Sequence, residues 1–208
     1  MKDNLLPVVY VIDDDEKIQD ALLFLLKSVG QEAVAFGSGK AFLAQYRVDM
    51  PGCIVSDIRM PGMSGMELQE ELYRRGSTIP IIFISGHGDI PMAVEAIKAG
   101  AQEFLTKPFR DQVLLDAINT AMSRDLEQRR VLEAKTDVER RKNLLTRRER
   151  QVYELVIAGK TNKVIAETLH LSHRTIEVHR SHMMEKMEAQ SLTELLKLAQ
   201  TPGVEENA

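Results

Sequence analysis

Five short, mainly apolar runs mark the first half of the chain: Val8 to Ile12, Glu32 to Ala35, Cys53 to Ser56, Pro80 to Ile84 and Gln102 to Leu105. They are four or five residues long and lack the polar alternation of a half-exposed strand, as expected for strands buried on both faces. Between them Ile18, Leu22, Leu25, Leu26 and Val29 recur at helical spacing, as do Met92, Ala93, Ala96 and Ile97. Regular alternation of strand and helix admits few architectures, because each strand needs cover on both sides. A mainly parallel sheet between two layers of helices meets that need. Residues 1–122 are therefore read as an α/β, doubly wound (βα)5 domain, for which alternation does not give the strand order and 2-1-3-4-5 is adopted.

The pattern then changes. Val113, Leu114, Ala117, Ile118 and Ala121 continue without Gly or Pro into a run of mixed charge, so the last helix should extend to about Arg140. Residues 123–142 are read as a charged helical linker with a solvated surface. Beyond Asn143 strand patterns disappear and four helices suffice: Thr146 to Ala158, Asn162 to Leu169, His173 to Met187 and Leu192 to Ala199. Thr146-Arg-Arg-Glu149 reads as a capping box, Ser172 as an N-cap, and Gly159 as a helix end. Residues 143–200 form an all-α four-helix domain, and 201–208 a disordered tail. A length of 208 residues accommodates one ordinary domain and a smaller one.

The charge is divided along the chain. Residues 1–122 carry 11 Lys/Arg against 17 Asp/Glu, whereas residues 143–200 carry 9 against 7. So small a basic surplus is weak evidence for nucleic acid, and motif and placement must carry that reading. The single cysteine, Cys53, lies in an apolar run and reads as a core thiol. No stretch approaches the roughly 18 apolar residues of a membrane span, and the residues after Met1 do not form a signal peptide, so a cytoplasmic protein without membrane contact is expected.

Polar residues gather where the strands end. Asp13, Asp14 and Asp15 follow the first, Asp57 the third, Ser85 the fourth and Lys107 the fifth. In a doubly wound sheet ligands bind at the C-terminal edge, where strand order reverses, and order 2-1-3-4-5 makes strands 1 and 3 neighbours there. Clustered carboxylates repel one another and call for a cation, and hard oxygen donors suit magnesium, or manganese, better than zinc. A carboxylate can attack phosphorus to give an acyl phosphate, and Asp57 has the position. Asp14, Asp57 and the backbone carbonyl of Arg59 would hold the metal, with Asp13 assisting through water. Lys107 supplies a second cation, and Ser85 a hydroxyl for the arriving phosphoryl group.

Across residues 5–122 the chain resembles the receiver domains of two-component systems, through Val11-Ile-Asp-Asp, Val55-Ser-Asp57-Ile-Arg-Met-Pro61-Gly, Ile84-Ser85-Gly and Lys107-Pro108-Phe109. The resemblance implies Asp57 as phosphoacceptor, a cis Lys107–Pro108 peptide, and an aromatic switch at Phe104, which by itself reads as a packed strand aromatic. Two rival motifs fail. Gly37-Ser-Gly39-Lys40 lacks the first glycine and the terminal Ser/Thr of a phosphate-binding loop. A haloacid-dehalogenase-type hydrolase would carry a second carboxylate where Arg59 stands.

Residues 143–200 resemble the output domain of the LuxR/FixJ/NarL group, through Leu145-Thr146-Arg-Arg-Glu149-Arg-Gln-Val152, Gly159-Lys-Thr-Asn162-Lys163-Val-Ile165-Ala166 and Leu171-Ser172-His-Arg-Thr175-Ile-Glu-Val-His179-Arg. Ile165, Leu169, Leu171, Ile176, Met183 and Met187 make the apolar side. Arg174, Glu177, Val178 and Ser181 are left on another face of the third helix, the candidate base readers in the major groove. Lys160, Asn162, Lys163 and Arg180 are assigned to phosphates. The five histidines have no cysteine near them to suggest a metal site, and read as surface, capping or phosphate residues. Together the two resemblances imply a response regulator, not an enzyme, that is phosphorylated by a sensor histidine kinase. It would dimerise on phosphorylation, bind double-stranded promoter DNA and work with RNA polymerase to activate transcription. The rivals are a DNA-binding module whose receiver is a structural relic and an Asp-nucleophile phosphatase with an accessory domain; for residues 143–200 taken alone, a small four-helix interaction module is the alternative.

Overall fold

The structure is a computed structural model that describes residues 6–86 and 90–200; the expected tail, 201–208, lies outside the described residues. The chain divides into two units, Met1–Arg129 and Arg130–Ala208. The first runs β1 (Val8–Ile12), α1 (Glu16–Ser28), β2 (Ala33–Phe36), α2 (Gly39–Gln45), β3 (Gly52–Asp57), α3 (Gly65–Arg74), β4 (Ile81–Ser85), α4 (Ile90–Lys98), β5 (Glu103–Thr106) and the first part of α5 (Asp111–Asn143). All four strand pairings are parallel, in the expected order β2-β1-β3-β4-β5.

The apolar strands are explained by two cores, one on each face of the sheet. Tyr10, Ile12, Ile54 and Phe83 pack with Phe42, Leu68 and Leu72 of α2 and α3. Their strand neighbours Val9, Val11, Val55, Ile82 and Ile84 pack with Leu22 and Leu26 of α1 and Leu114 and Ile118 of α5. Successive strand residues face opposite ways, so the central strands β1, β3 and β4 are apolar along most of their length and buried almost throughout, whereas the edge strands β2 and β5 keep exposed positions; each fully buried side chain contributes about 1.5–3 kcal/mol. Cys53 belongs to the second core, and burial, with Asp125 nearby, pushes its thiol up to about 12. It is inert packing, as its surroundings in sequence indicated.

Several boundaries move. β2 to β5 all end one residue later than expected, because the ladder is built from backbone groups and does not stop at the last apolar side chain. Asp57 pairs with Ile84 and Ser85 with Thr106, so both site residues sit on the rigid sheet and not after it. Ser38 caps α2 by accepting from the Ala41 N–H at 3.2 Å, so the Gly37-Ser-Gly39-Lys40 segment is a helix start.

α5 continues without a break to Asn143, the helix expected to reach about Arg140, and the first unit includes it as far as Arg129. Asp125 and Arg129 are bonded to the receiver backbone around β3, and Val138 is buried in the core of the second unit. The mixed charges read as a solvated helix face, and Asp125, Arg129 and Val138 are the buried or half-buried positions opposite it.

The second unit adds α6 (Arg147–Ile157), α7 (Asn162–Leu169), α8 (His173–Lys186) and α9 (Leu192–Gln200). Its core gathers Val138, Leu145, Val152, Val156, Ile165, Ile176, Met183, Met187 and Leu195, with Leu169 and Leu171 partly buried against it. The Thr146–Glu149 capping box and the Ser172 cap both form, and Gly159 leaves α6 at φ +75°. Among the described residues no helix is long and apolar enough to cross a membrane.

Candidate phosphoacceptor site and nucleic-acid interface

Three strand ends converge on one ammonium group. Lys107 Nζ donates to Asp13 Oδ2 and to Asp57 Oδ1, each at 3.0 Å. The adjacency of β1 and β3 brings the carboxylates together, and the Lys107 N–H donates at 2.7 Å to the Ser85 carbonyl on neighbouring β4. The Lys107–Pro108 peptide is cis, as the resemblance implied. Burial favours the neutral amine, but the hydrogen bonds that the ammonium donates to Asp13 and Asp57 outweigh it and raise the Lys107 pKa.

The carboxylates differ in setting. The Asp13 side chain is 3% exposed, and its Oδ1 accepts from the Asp15 N–H at 2.9 Å. Asp57 is more open, at 12% side-chain exposure, and its Oδ2 accepts from the Arg59 N–H at 2.7 Å. Asp14 is exposed at the rim. One ammonium between two carboxylates leaves the site short of positive charge, and every candidate donor is a hard oxygen. That suits magnesium, which keeps much of its water and needs one or two protein carboxylates. Among the described residues no group of three or more His, Cys, Asp or Glu side chains encloses a metal unaided.

Ser85 is buried at the end of β4. Phe104 is half-buried, paired in register with Phe83 and packed against the α2–α3 core, which matches its plain reading as a strand aromatic. One residue the sequence reading passed over is Gly65. A Cβ there would lie 2.6 Å from the Asp57 carbonyl oxygen and 2.8 Å from the Phe83 ring, so only glycine lets α3 start this close to the acceptor.

In the second unit, His170 takes a left-handed conformation (φ 53°) at the end of α7, and Ser172 then starts α8 by accepting from the Thr175 N–H at 3.1 Å. Ile176 and Met183 point inward. Arg174, Glu177, Val178 and Ser181 line an open concavity of about 620 Å³, joined by His173, which the sequence reading had not placed there. Glu177 Oε1 lies 3.4 Å from His173 Nδ1, and among the described residues it makes no ion pair with Arg174 or Arg180. Arg180 donates to Asn162 at 2.9 Å, which ties the start of α7 to the middle of α8 and sets two expected phosphate-binding residues side by side. Lys160 and Lys163 are exposed near the start of α7. Behind this surface Glu149 accepts from Lys186 at 2.6 Å and from the Thr146 N–H at 2.7 Å. The capping box was legible in sequence; the lysine 37 residues away was not.

A receiver sheet with an aspartate–lysine site, followed by a helix-turn-helix unit, defines a class. Residues 9–119 match the response regulator receiver domain, and residues 143–199 match the luxR family of bacterial regulatory proteins. The chain belongs to the two-component response regulators with a LuxR-type output domain, which regulate transcription. Nodulation protein W of Bradyrhizobium diazoefficiens is 46% identical over 203 residues, covering 96% of this chain and 88% of that protein. The transcriptional regulatory protein FixJ of Azorhizobium caulinodans is 47% identical over 197 residues, covering 94% and 93%. Among solved structures, the response regulator StyR superimposes with a TM-score of 0.88 at 45% identity, covering 94% of this chain and 99% of that one. Full-length FixJ from B. japonicum gives 0.57 at 43% identity, covering 95% and 98%.

Proposed function

We propose that Asp57 accepts a phosphoryl group from a phosphohistidine on a sensor kinase, and that the phosphorylated chain dimerises on promoter DNA and activates transcription with RNA polymerase. The observation that carries this reading is the Lys107 ammonium at 3.0 Å from both Asp13 and Asp57. An Asp57 oxygen attacks phosphorus as the phosphorus–nitrogen bond of the donor breaks, and the imidazole keeps the bonding electrons and takes up a proton. Lys107 offsets charge on the phosphoryl oxygens, and Ser85 donates its hydroxyl to one of them. Asp13, Asp14, Asp57 and the Arg59 carbonyl are the residues that would hold magnesium or manganese, whose chemistry there is to neutralise the incoming oxygens. Ser85 and Phe104 then form the switch.

Acetyl phosphate with magnesium provides the test. The treated full-length protein should shift from monomer to dimer on sizing and bind promoter DNA more tightly, because two coupled half-sites raise affinity without a new base contact. Equal mass and equal affinity with and without acetyl phosphate would refute the proposal.

On the DNA side, Arg174, Glu177, Val178 and Ser181 read bases, while Lys160, Asn162, Lys163 and Arg180 hold phosphates. Val178 is 48% exposed and apolar, which suits a thymine methyl; Glu177 suits a cytosine amino group. Glu177→Ala and Val178→Ala should therefore change preference among operator variants, by about 1–3 kcal/mol per affected base pair. Lys163→Ala should weaken all sequences alike and lower the salt slope by about one unit. Binding to the operator, its single-base variants and random DNA at two salt concentrations checks both. The opposite assignment of effects would mean that another face of α8 enters the groove.

A further inference from the structure

The inward stripe of α5 changes character partway along. Leu114, Ile118 and Ala121 are buried in the sheet core. Continuing at helical spacing, the next inward residues are not apolar but Asp125 and Arg129, whereas Leu126, beside them, is 52% exposed. Asp125 is 2% exposed, and its Oδ2 accepts from the Gly52 N–H at 2.9 Å and from Arg129 Nε at 2.7 Å. The Arg129 guanidinium also donates to the carbonyls of Asp49, at 3.1 Å, and Met50. The floor of this cluster admits no side chain: Gly52 has φ +133°, and a Cβ there would lie 1.9 Å from the Val8 carbonyl oxygen.

Apolar packing would hold a helix against the receiver in several rotations, since it is non-directional. A carboxylate aimed at one backbone N–H and a guanidinium aimed at fixed carbonyls close in one rotation only, because a slip of one residue turns the helix by about 100°. Fixing register is the best-attested use of a buried ion pair.

We propose that Asp125 and Arg129 form a latch that makes α5 part of the receiver as far as Arg129 and sets the helical phase at which the linker begins. Phosphorylation then acts on DNA binding through a helix of fixed register. This last step rests on the function proposed above; the latch does not. Asp57 lies at the other end of β3 from Gly52, so changes to the latch should spare the phosphoryl chemistry.

Hydrogen exchange of the full-length protein tests it, with Asp125→Asn, Arg129→Ala and Arg129→Lys. In Arg129→Ala, amides 122–131 should exchange at least about tenfold faster while those of β1, β3 and β4 stay within about twofold, the signature of local opening. Arg129→Lys keeps the charge but loses the fork that reaches the carbonyls, so it should show the same loss at smaller size, and it serves if the alanine variant does not fold. Labelling of Asp57 by acetyl phosphate should be unchanged, and the gain in DNA affinity on phosphorylation should fall by at least about fivefold, a coupling of ordinary size. If amides 122–131 stay as protected as in the wild type in Asp125→Asn and Arg129→Lys, there is no latch. If protection is lost but the DNA gain is intact, the latch plays no part in coupling. If the wild-type protein shows no gain, the proposed function fails, and the exchange data still decide the latch.

Discussion

Asp57→Asn should abolish phosphoryl labelling by acetyl phosphate, to below about one part in 10³ of wild type, the scale of loss when a nucleophile is removed. The geometry says why no neighbour should replace it. Asp13 is nearly inaccessible, with Oδ1 on the Asp15 N–H and Oδ2 on Lys107, whereas Asp57 is the more open carboxylate on that ammonium. The substitution should not weaken the fold. It removes one of two negative charges sharing a single lysine, and like charges at close range are unfavourable, so the receiver should melt no lower than wild type. Intact-mass measurement before and after treatment, with thermal unfolding alongside, checks both expectations. Undiminished labelling of the variant would end the assignment of Asp57.

The second large effect is expected in the output unit, at Glu149. The residue is 4% exposed and is held by Lys186 and the Thr146 backbone. Glu149→Ala removes the bond to the Thr146 N–H and leaves Lys186, whose side chain is 34% exposed and can be hydrated, without its partner, at a cost of about 1–3 kcal/mol, a sizeable share of what a small domain has. Glu149→Ala should thus lower the thermal stability of the output unit and weaken DNA binding near its melting range, while labelling of the receiver by acetyl phosphate stays unchanged. Glu149→Gln should be milder but should lose a pH dependence. Burial alone would raise the Glu149 pKa, yet the hydrogen bonds from Lys186 and Thr146 prevail and hold it at about 2, below the ordinary 4.5. The unfolded chain therefore takes up this proton first as pH falls. The stabilisation is complete above the unfolded pKa of 4.5, shrinks as pH drops below it, and is gone once pH has passed through the folded pKa of about 2. Hydrogen exchange of the α6 and α8 amides in the full-length chain, corrected for intrinsic rates, should show falling protection between pH 5 and 3 that Glu149→Gln lacks. Equal slopes for the two proteins would contradict the assignment.

The strand runs, the four output helices and most of the site could be read from the residues alone, because each rests on a short-range regularity. Apolar strands need cover on both faces, caps precede helices by fixed steps, and strand ends place Asp13, Asp57, Ser85 and Lys107 on one edge once the strand order is adopted. The ion pairs behave differently. Lys186 meets Glu149 across 37 residues, and Asp125 meets Gly52 across 73. In sequence nothing marks Lys186 as paired, and Asp125 and Arg129 belong to a run of mixed charge that reads as a solvated helix face. The phase of Asp125 with Leu114, Ile118 and Ala121 was a signal available in principle, but a charge on an inward stripe can be recognised as satisfied only when its partner is seen. The same holds for Gly65, whose lack of a side chain matters only because the Asp57 carbonyl and the Phe83 ring lie against it. Local periodicity is enough for the alternating strands and helices and for the polar groups at the strand ends. Which charges are buried, and against which partners, follows from contacts between residues far apart in the chain, which periodicity cannot express.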